Sequence, residues 1–252
     1  MSLDDTLREV YSRQIIMKEI GEAGQQKLAA ASVFVAGCGG LGAAALFYLA
    51  AMGVGRLGLC DGDEVSLSNL NRQVLYTMED LGKPKASTAA KRLLALNPGL
   101  YTTIYDRFLD EELAGTIAPE YDIAIDCLDN FNARFILNDA CIAAGKPFVH
   151  AGVGEFYGQL MTVTPGTGPC LRCLFPNGKQ KKEPQKPQGV IGAVPGVVGA
   201  LQALEAAKFI LGLPVSNDGM AIYDGIRTSL EKVTLQPSPK CMCKTQANRR
   251  GQ

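Results

Sequence analysis

Segment 61–73, DGDEVSLSNLNRQ, sets carboxylates at Asp61 and Asp63, a hydroxyl at Ser68, amides at Asn69 and Asn71 and a guanidinium at Arg72 within thirteen positions. It follows closely on a glycine-rich turn, GCGGLG at 37–42, in which Gly37, Gly39 and Gly42 fit G-x-G-x-x-G with Gly40 beside them. The turn sits between an apolar run and a helical pattern, where backbone N–H groups and the helix dipole receive phosphate. Asp61 lies 24 residues beyond Gly37, near the usual distance for a carboxylate that bonds a ribose. An ordinary dinucleotide unit ends its second strand with that single acid; the added hydroxyl, amides and cation suit further phosphates.

The glycine turn alone does not separate a nicotinamide or flavin enzyme from one that binds ATP. Arg72 and Lys85 bear on that choice, because a triphosphate needs fixed positive charge more than a dinucleotide does. The plain alternatives are a glycine turn kept for packing and two solvated surface cations. Asp129-Asn130 follows the apolar run YDIAIDCL, so the Asp129 carboxylate is expected at a strand's C-terminal edge, where open α/β sheets bind ligands. There it can hold magnesium together with substrate phosphates, or it can simply cap the helix that starts near Phe131.

The 252-residue chain carries 25 basic and 25 acidic residues and is 47% hydrophobic. It is long enough for one large domain, and its zero net charge gives no global field favouring nucleic acid or an anionic membrane. The N terminus reads as charged, the longest apolar helix candidate (41–52) is too short to span a bilayer, and a cytoplasmic protein with no membrane partner is the expectation. Eight cysteines then point to thiols or metal ligands rather than a disulfide framework. Cys170/Cys173 and Cys241/Cys243 form two close pairs about seventy residues apart, a set of four thiolates suited to a closed tetrahedral zinc site, with free thiols or a disulfide as alternatives. The C-x-C spacing of the second pair is expected to strain simultaneous ligation. Cys38, Cys60, Cys127 and Cys141 fall among apolar neighbours and read as packing residues.

Alternating strand and helix patterns must position these groups. Residues 3–30 read as a helical arm with a buried stripe of Leu7, Val10, Ile15, Ile16 and Ile20, interrupted by Gly21 and Gly24. Strands are predicted over 32–37, 56–61, 101–107, 121–127 and 147–151, and helices over 43–52, 85–96 and 131–144. This is an α/β fold, a doubly wound, Rossmann-like, mostly parallel sheet. After residue 155 the pattern changes to antiparallel strands at 156–164 and 228–235 around a helix at 197–211, a mixed, antiparallel C-terminal extension. The polar segment 177–188 reads as a mobile loop, and His150 as a strand-end structural residue.

GCGGLG at 37–42, DGDEVSLSNLNRQ at 61–73, GKPK at 82–85 and CLDN at 127–130 together resemble the ubiquitin-activating-type adenylyltransferases of the ThiF/MoeB/HesA family. The resemblance extends to YSRQ at 11–14, GPCLRC at 168–173 and GALQALEAAK at 199–208, so it runs through the whole chain as a single adenylation domain: arm 1–30, nucleotide core 31–155, extension 156–252. It implies ATP-dependent adenylation of the C-terminal glycine carboxylate of a small ubiquitin-like sulfur-carrier protein ending in Gly-Gly, with release of pyrophosphate. Gly40, Asp61, Ser68, Asn69, Arg72, Lys85 and Asp129 would contact ATP or its magnesium, with Asp63 and Asn130 in the same blocks. Arg13 matches an arginine that such homodimers insert into the neighbouring subunit's site, and the four cysteines match a zinc site. The attacking carboxylate is already ionised at neutral pH, so the reaction needs no general base and His150 no catalytic role.

The register of the resemblance places Gln185 where members with a transfer cysteine carry it, and 177–188 contains no cysteine. Adenylation without a covalent link through that loop is therefore expected. The competing readings are a nicotinamide-dependent oxidoreductase, activation of a small-molecule or RNA-attached carboxylate, and a non-catalytic scaffold.

Overall fold

The computed structural model of the protein describes residues 5–176, 189–239 and 241–245; the 177–188 loop and Gln185 lie outside them. The helical arm is three pieces, α1 (Asp5–Val10), α2 (Ser12–Ile15) and α3 (Gly21–Ala30). The expected buried stripe does not form within the chain: Val10 and Ile16 are exposed, and Leu7, Ile15 and Ile20 are only half-buried. The arm is anchored instead by Tyr11 and Gln25, both buried. Gln14 and Gln25 each donate an amide hydrogen to the Met52 carbonyl, at 3.1 and 2.9 Å. Gly24 does not break α3; it lets Leu211 approach, whose Cδ2 would lie 3.0 Å from a Cβ there.

Eight strands form one sheet in the order β3-β2-β1-β4-β5-β6-β7-β8. They are β1 (Ser32–Ala36), β2 (Arg56–Cys60), β3 (Tyr101–Tyr105), β4 (Ile123–Asp126), β5 (Phe148–Gly154), β6 (Tyr157–Val163), β7 (Gly219–Asp224) and β8 (Ser229–Thr234). The first five pair in parallel and the last three antiparallel, as the change of pattern near residue 155 predicts. Strand β7 was not foreseen, nor was helix α6 (Glu111–Ile117), which is short and capped by Asp110.

The central strands are buried on both faces, which is why β1, β2, β4 and β5 read as continuous apolar runs. On one face Val33, Val35, Leu57, Leu59, Ile123 and Ile125 pack with α4 (Gly40–Ala51), α5 (Lys85–Leu96) and α9 (Ala193–Leu211). On the other, Phe34, Ala124 and Phe148 pack with α6 and α7 (Phe131–Ala144). Each such fully buried Leu, Ile or Phe contributes about 1.5–3 kcal/mol. Helix α5 shows how the pattern works locally: Ala86, Ala89, Ala90 and Leu93 share the buried face, and Asn97 ends it by turning its amide to the Ala50 carbonyl, 3.1 Å away.

Helix α9, not the 41–52 segment, is the longest apolar helix, and among the described residues it is the one long and apolar enough to span a bilayer. Its buried polar side chains show that it belongs to the core. Gln202 donates to the Asp126 and Val149 carbonyls, at 2.8 and 3.1 Å, bridging β4 and β5. Glu205 accepts from Thr162 and from the Ser216 amide, both at 2.8 Å.

Helices α4 and α9 touch closely because Gly199 has no side chain: a Cβ there would fall 2.3 Å from the Leu41 carbonyl oxygen. Gly199→Ala is expected to cost about 2 kcal/mol, read as a Tm lower by about 4–8 °C for a chain of this size. An unchanged Tm would show that the contact does not set the helix spacing.

Candidate active site at the sheet switch point

Strand order reverses between β1 and β4, and the ligand crevice of an open α/β sheet lies beyond the carboxyl ends of the strands at that point. The glycine turn leaves β1 there. Gly37 has φ +94°, and a Cβ would lie 2.5 Å from the Cys127 carbonyl at the end of β4. Gly42 abuts the Gly37 carbonyl, 2.0 Å from its own missing Cβ. Only glycine allows either approach. Gly40 sits beneath Pro195 and Arg72, Gly39 beneath Gln73, so the turn is walled by the start of α9 and by segment 61–73.

Asp61 fastens this turn to β2. Its Oδ2 accepts the Cys38 N–H at 2.7 Å and its Oδ1 the Asp63 N–H at 2.8 Å. Burial pushes its carboxyl above the ordinary range, partly offset by those two N–H groups and by Lys85. Asp63 holds Lys85 twice, through an ion pair at 2.9 Å and through its carbonyl, which accepts the Lys85 N–H at 2.9 Å. The Lys85 side chain is nearly buried, at 7% exposure, whereas Asp63 is half open, at 53%. The cation is therefore held at the crevice by a carboxylate that faces solvent.

Asn69 uses its side-chain oxygen on the Ser66 N–H, 3.2 Å away, closing a capping box around the short helix Leu67–Asn69. Ser68 is exposed. Arg72 is fixed by the Ser68 carbonyl at 2.7 Å and by Asn71 at 3.0 Å, a geometry that leaves part of its fork free for an anion. No described carboxylate pairs with it.

At the end of β4, the helix cap falls to Asn130, whose Oδ1 accepts the Ala133 N–H at 2.9 Å. Asp129 is thus not the cap of α7; it is exposed, touched by the Asn130 amide at 3.3 Å. A solvent-facing carboxylate beside the glycine turn fits the one- or two-carboxylate coordination magnesium takes with a nucleotide.

Arg13 stands apart. It is exposed on α2, whose neighbours Tyr11 and Gln14 dock at Met52 and Gly53, beyond the C-terminal end of α4. The glycine turn opens the other end of that helix, about 18 Å away for twelve residues. The fold gathers the other nucleotide-site candidates near the glycine turn and leaves Arg13 outside it.

The four cysteines do converge. Cys170 is the N-cap of α8 (Leu171–Leu174) and Cys173 lies within it, Cys241 and Cys243 lie at α10 (Met242–Thr245), and all four Sγ atoms fall within 4.8 Å of one another. Sulfur separations of 3.4, 3.5 and 3.9 Å are near the edge of about 3.8 Å expected for a tetrahedron with 2.3 Å zinc–sulfur bonds. The C-x-C spacing does not keep Cys243 away: placed in the first turn of α10, its sulfur lies 3.5 Å from that of Cys173. Cys38, Cys60, Cys127 and Cys141 are buried thiols. Burial raises Cys38 and Cys127 well above the ordinary thiol range, with Asp61 adding to Cys38 and Asp126 to Cys127, so neither is a thiolate at the crevice. His150 lies inside β5, fully buried, its Nδ1 2.6 Å from Asp126.

Sequence reasoning missed Tyr76. Buried under the turn, it donates toward the Cys38 carbonyl at 2.8 Å and the Lys85 carbonyl at 3.2 Å, and burial pushes its phenol far up, so it remains a donor. An isolated tyrosine in a polar loop carries no periodic signal. Tyr76→Phe is expected to cost about 1 kcal/mol, with faster amide exchange at residues 38–40; exchange unchanged there would mean the turn holds its shape without the phenol.

Residues 11–245 match the sequence profile of the ThiF family. The sulfur carrier protein adenylyltransferase of Thermus thermophilus is 42% identical over 243 residues, covering 92% of this chain and 88% of that protein. The mouse adenylyltransferase and sulfurtransferase MOCS3 is 48% identical over 176 residues; the match spans 70% of this chain but 38% of that longer protein. Among solved structures, Escherichia coli MccB crystallised with ATP superposes with a TM-score of 0.83 at 25% identity, over 96% of this chain and 75% of that one. The chain belongs to the ThiF family and is an enzyme of its adenylyltransferase kind.

Proposed function

We propose that this enzyme uses ATP and magnesium to adenylate the C-terminal glycine carboxylate of a small ubiquitin-like sulfur carrier ending in Gly-Gly. The observation that carries the reading is the convergence of Gly37–Gly42, Asp61, Arg72, Lys85 and Asp129 on one crevice at the switch point, together with the 42%-identical sulfur carrier protein adenylyltransferase. A carboxylate oxygen attacks the α-phosphorus, the bond to the bridging oxygen breaks, and pyrophosphate leaves. Both reactants are anions, so the need is for charge suppression rather than a base. Arg72 and Lys85 supply fixed positive charge and Asp129 holds magnesium, which neutralises the phosphates when bound. Asp61 takes the ribose, and Gly39 and Gly40 give the phosphates access to backbone N–H groups; Asp63, Ser68, Asn69 and Asn130 complete the nucleotide contacts.

The working form in this reading is a homodimer. Arg13 is too far from its own crevice to serve it, and Val10 and Ile16 beside it are exposed apolar residues suited to a second copy. Zinc joins Cys170, Cys173, Cys241 and Cys243 and ties the C-terminal segment to the sheet extension. No covalent carrier link forms through residues 177–188.

Labelled pyrophosphate should exchange into ATP only when a Gly-Gly-ending carrier is present. Arg72→Ala, Lys85→Ala and Asp129→Ala should each slow exchange by about 10²–10³. Bound nicotinamide without exchange would sink the reading in favour of an oxidoreductase.

The zinc assignment has its own check. Elemental analysis should find one zinc per chain, and Cys243→Ser or a strong chelator should lower Tm while the metal is lost. A metal-free protein with unchanged Tm would leave the four cysteines as free thiols.

A further inference from the structure

Two buried polar residues have no place in the chemistry described above. Asp126, the last residue of β4, and His150, its register partner on β5, are both 0% exposed. Two residues back along each strand, Ala124 and Phe148 belong to the apolar layer under α7, and strand alternation puts Asp126 and His150 in the same layer. The imidazole Nε2 has no described hydrogen-bond partner, so the ring is held through Nδ1, 2.6 Å from Asp126 Oδ2. Burying an imidazole with one nitrogen unpaired costs more than burying an apolar side chain of similar size, so core filling does not account for His150. What the ring supplies is a donor: a carboxylate oxygen only accepts, which assigns the ring hydrogen to Nδ1.

The Asp126 carboxylate uses its other oxygen on the chain that follows. Oδ1 accepts the Leu128 N–H at 3.1 Å, closing a turn across Cys127. The Leu128 carbonyl in turn accepts from Arg134 Nε and Nη2, at 3.0 and 2.6 Å, and Arg134 is itself buried against Phe131. Leu128 is thus clamped by charge at both ends, with an anion on its N–H and a cation on its carbonyl; such charge-assisted bonds are roughly twice as strong as neutral ones. Behind the clamp, Gln202 of α9 holds the Asp126 carbonyl at 2.8 Å, which gives the carboxylate a fixed base. Asp129 is the next residue after Leu128. Its side chain is exposed, so its direction is set through the backbone, by the clamp on Leu128 on one side and the Asn130 cap of α7 on the other.

We propose that His150 is a positioning residue for magnesium: by holding Asp126 it fixes Leu128, and through Leu128 the exposed Asp129 carboxylate. This rests on the adenylation reading and deepens it, by naming what aims the carboxylate assigned to the metal. Hydrogen-bonded partners behind a metal ligand commonly set affinity by about 10–100-fold. The relay reaches Asp129 along the main chain, and no proton moves through it.

The test uses the full-length enzyme with His150→Leu, His150→Gln and His150→Asn. Leucine fills the space without a donor. Asparagine carries its amide nitrogen on Cγ, as histidine carries Nδ1, whereas glutamine places its amide one atom further out, toward the position of Nε2. Asp126→Asn keeps the volume and removes the charge, so it reads the relay even where His150→Leu folds poorly. Beside Tm, the quantities measured are hydrogen exchange at the Leu128 amide in protein free of nucleotide and metal, and ATP Kd with magnesium or with EDTA in its place. In His150→Leu, His150→Gln and Asp126→Asn the Leu128 amide should exchange about fivefold faster. In the same variants Kd with magnesium should rise about tenfold, while Kd in EDTA stays within about twofold of wild type. His150→Asn should stay close to wild type in both quantities, even where the smaller side chain lowers Tm. Leu128 exchange unchanged in His150→Leu and Asp126→Asn, equal damage from asparagine and glutamine, or Kd rising alike with and without magnesium overturns the positioning role and leaves adenylation standing. Wild-type enzyme that neither binds ATP nor exchanges pyrophosphate, with Gly-Gly-ending ubiquitin-like proteins as probes, overturns the adenylation reading and the magnesium role with it.

Discussion

The approach of the glycine turn to the end of β4 is the contact on which the rest of the site depends. A side chain at Gly37 would strike the Cys127 carbonyl, and one at Gly42 would strike Gly37. With both absent, the start of α4 reaches the strand edge, and the Asp61 carboxylate can bridge from β2 to the Cys38 N–H. A carboxylate accepting backbone N–H groups at a helix start is favourable, so the acid that desolvation penalises is stabilised by the turn it organises. Tyr76 repeats the device from below, linking Cys38 to Lys85.

From that contact the placement of charge follows. Lys85 is the first residue of α5 and its carbonyl and side chain are both engaged, so its ammonium cannot wander into solvent. The loop leading to it is held by Asp80. Burial opposes the ionised form there, but Arg92 at 2.7 Å and Thr77 at 3.0 Å win and keep the carboxyl well below the usual range. Segment 61–73 is thus less a loose phosphate cluster than a strut: Asp61 and Asp63 set the turn and the lysine, Asn69 closes a cap, and Arg72 rests on the carbonyl of Ser68.

Much of this was legible in the sequence because the signals were local. The strand, glycine turn and helix at 32–51 need only neighbouring residues, and α5 and α7 carry their own stop signals at Asn97-Pro98-Gly99 and Gly145. What failed was non-local. The apolar residues of the arm have helical spacing, yet what buries Tyr11 is Gly53, whose missing Cβ would lie 2.6 Å from its ring. The unexpected strand β7 has its partners at Tyr157–Leu160 on β6, and at Ser229–Thr234 on β8. Arg134 illustrates the limit best: in sequence it is one more surface-type helix cation, and only the folded chain shows it buried, with its guanidinium on the Leu128 carbonyl and against Phe131.

Helix α7 couples the two ends of the molecule's chemistry. Its first turn carries the Asn130 cap and Arg134; its C-terminal half meets the cysteine cluster, where Asn138 accepts the Leu171 N–H at 3.0 Å and Asp139 forks onto Arg172 at 2.7 and 3.1 Å. Anything that draws Cys170 and Cys173 together with Cys241 and Cys243 therefore fixes α8 against α7, and so the height of Arg134 and Asp129 at the sheet edge. Phe131 packing on Phe175, with ring centres 5.2 Å apart, makes the same connection through apolar contact. A site built only on loops would need each loop ordered separately; here one helix, pinned at its far end, sets the position of the groups at its near end.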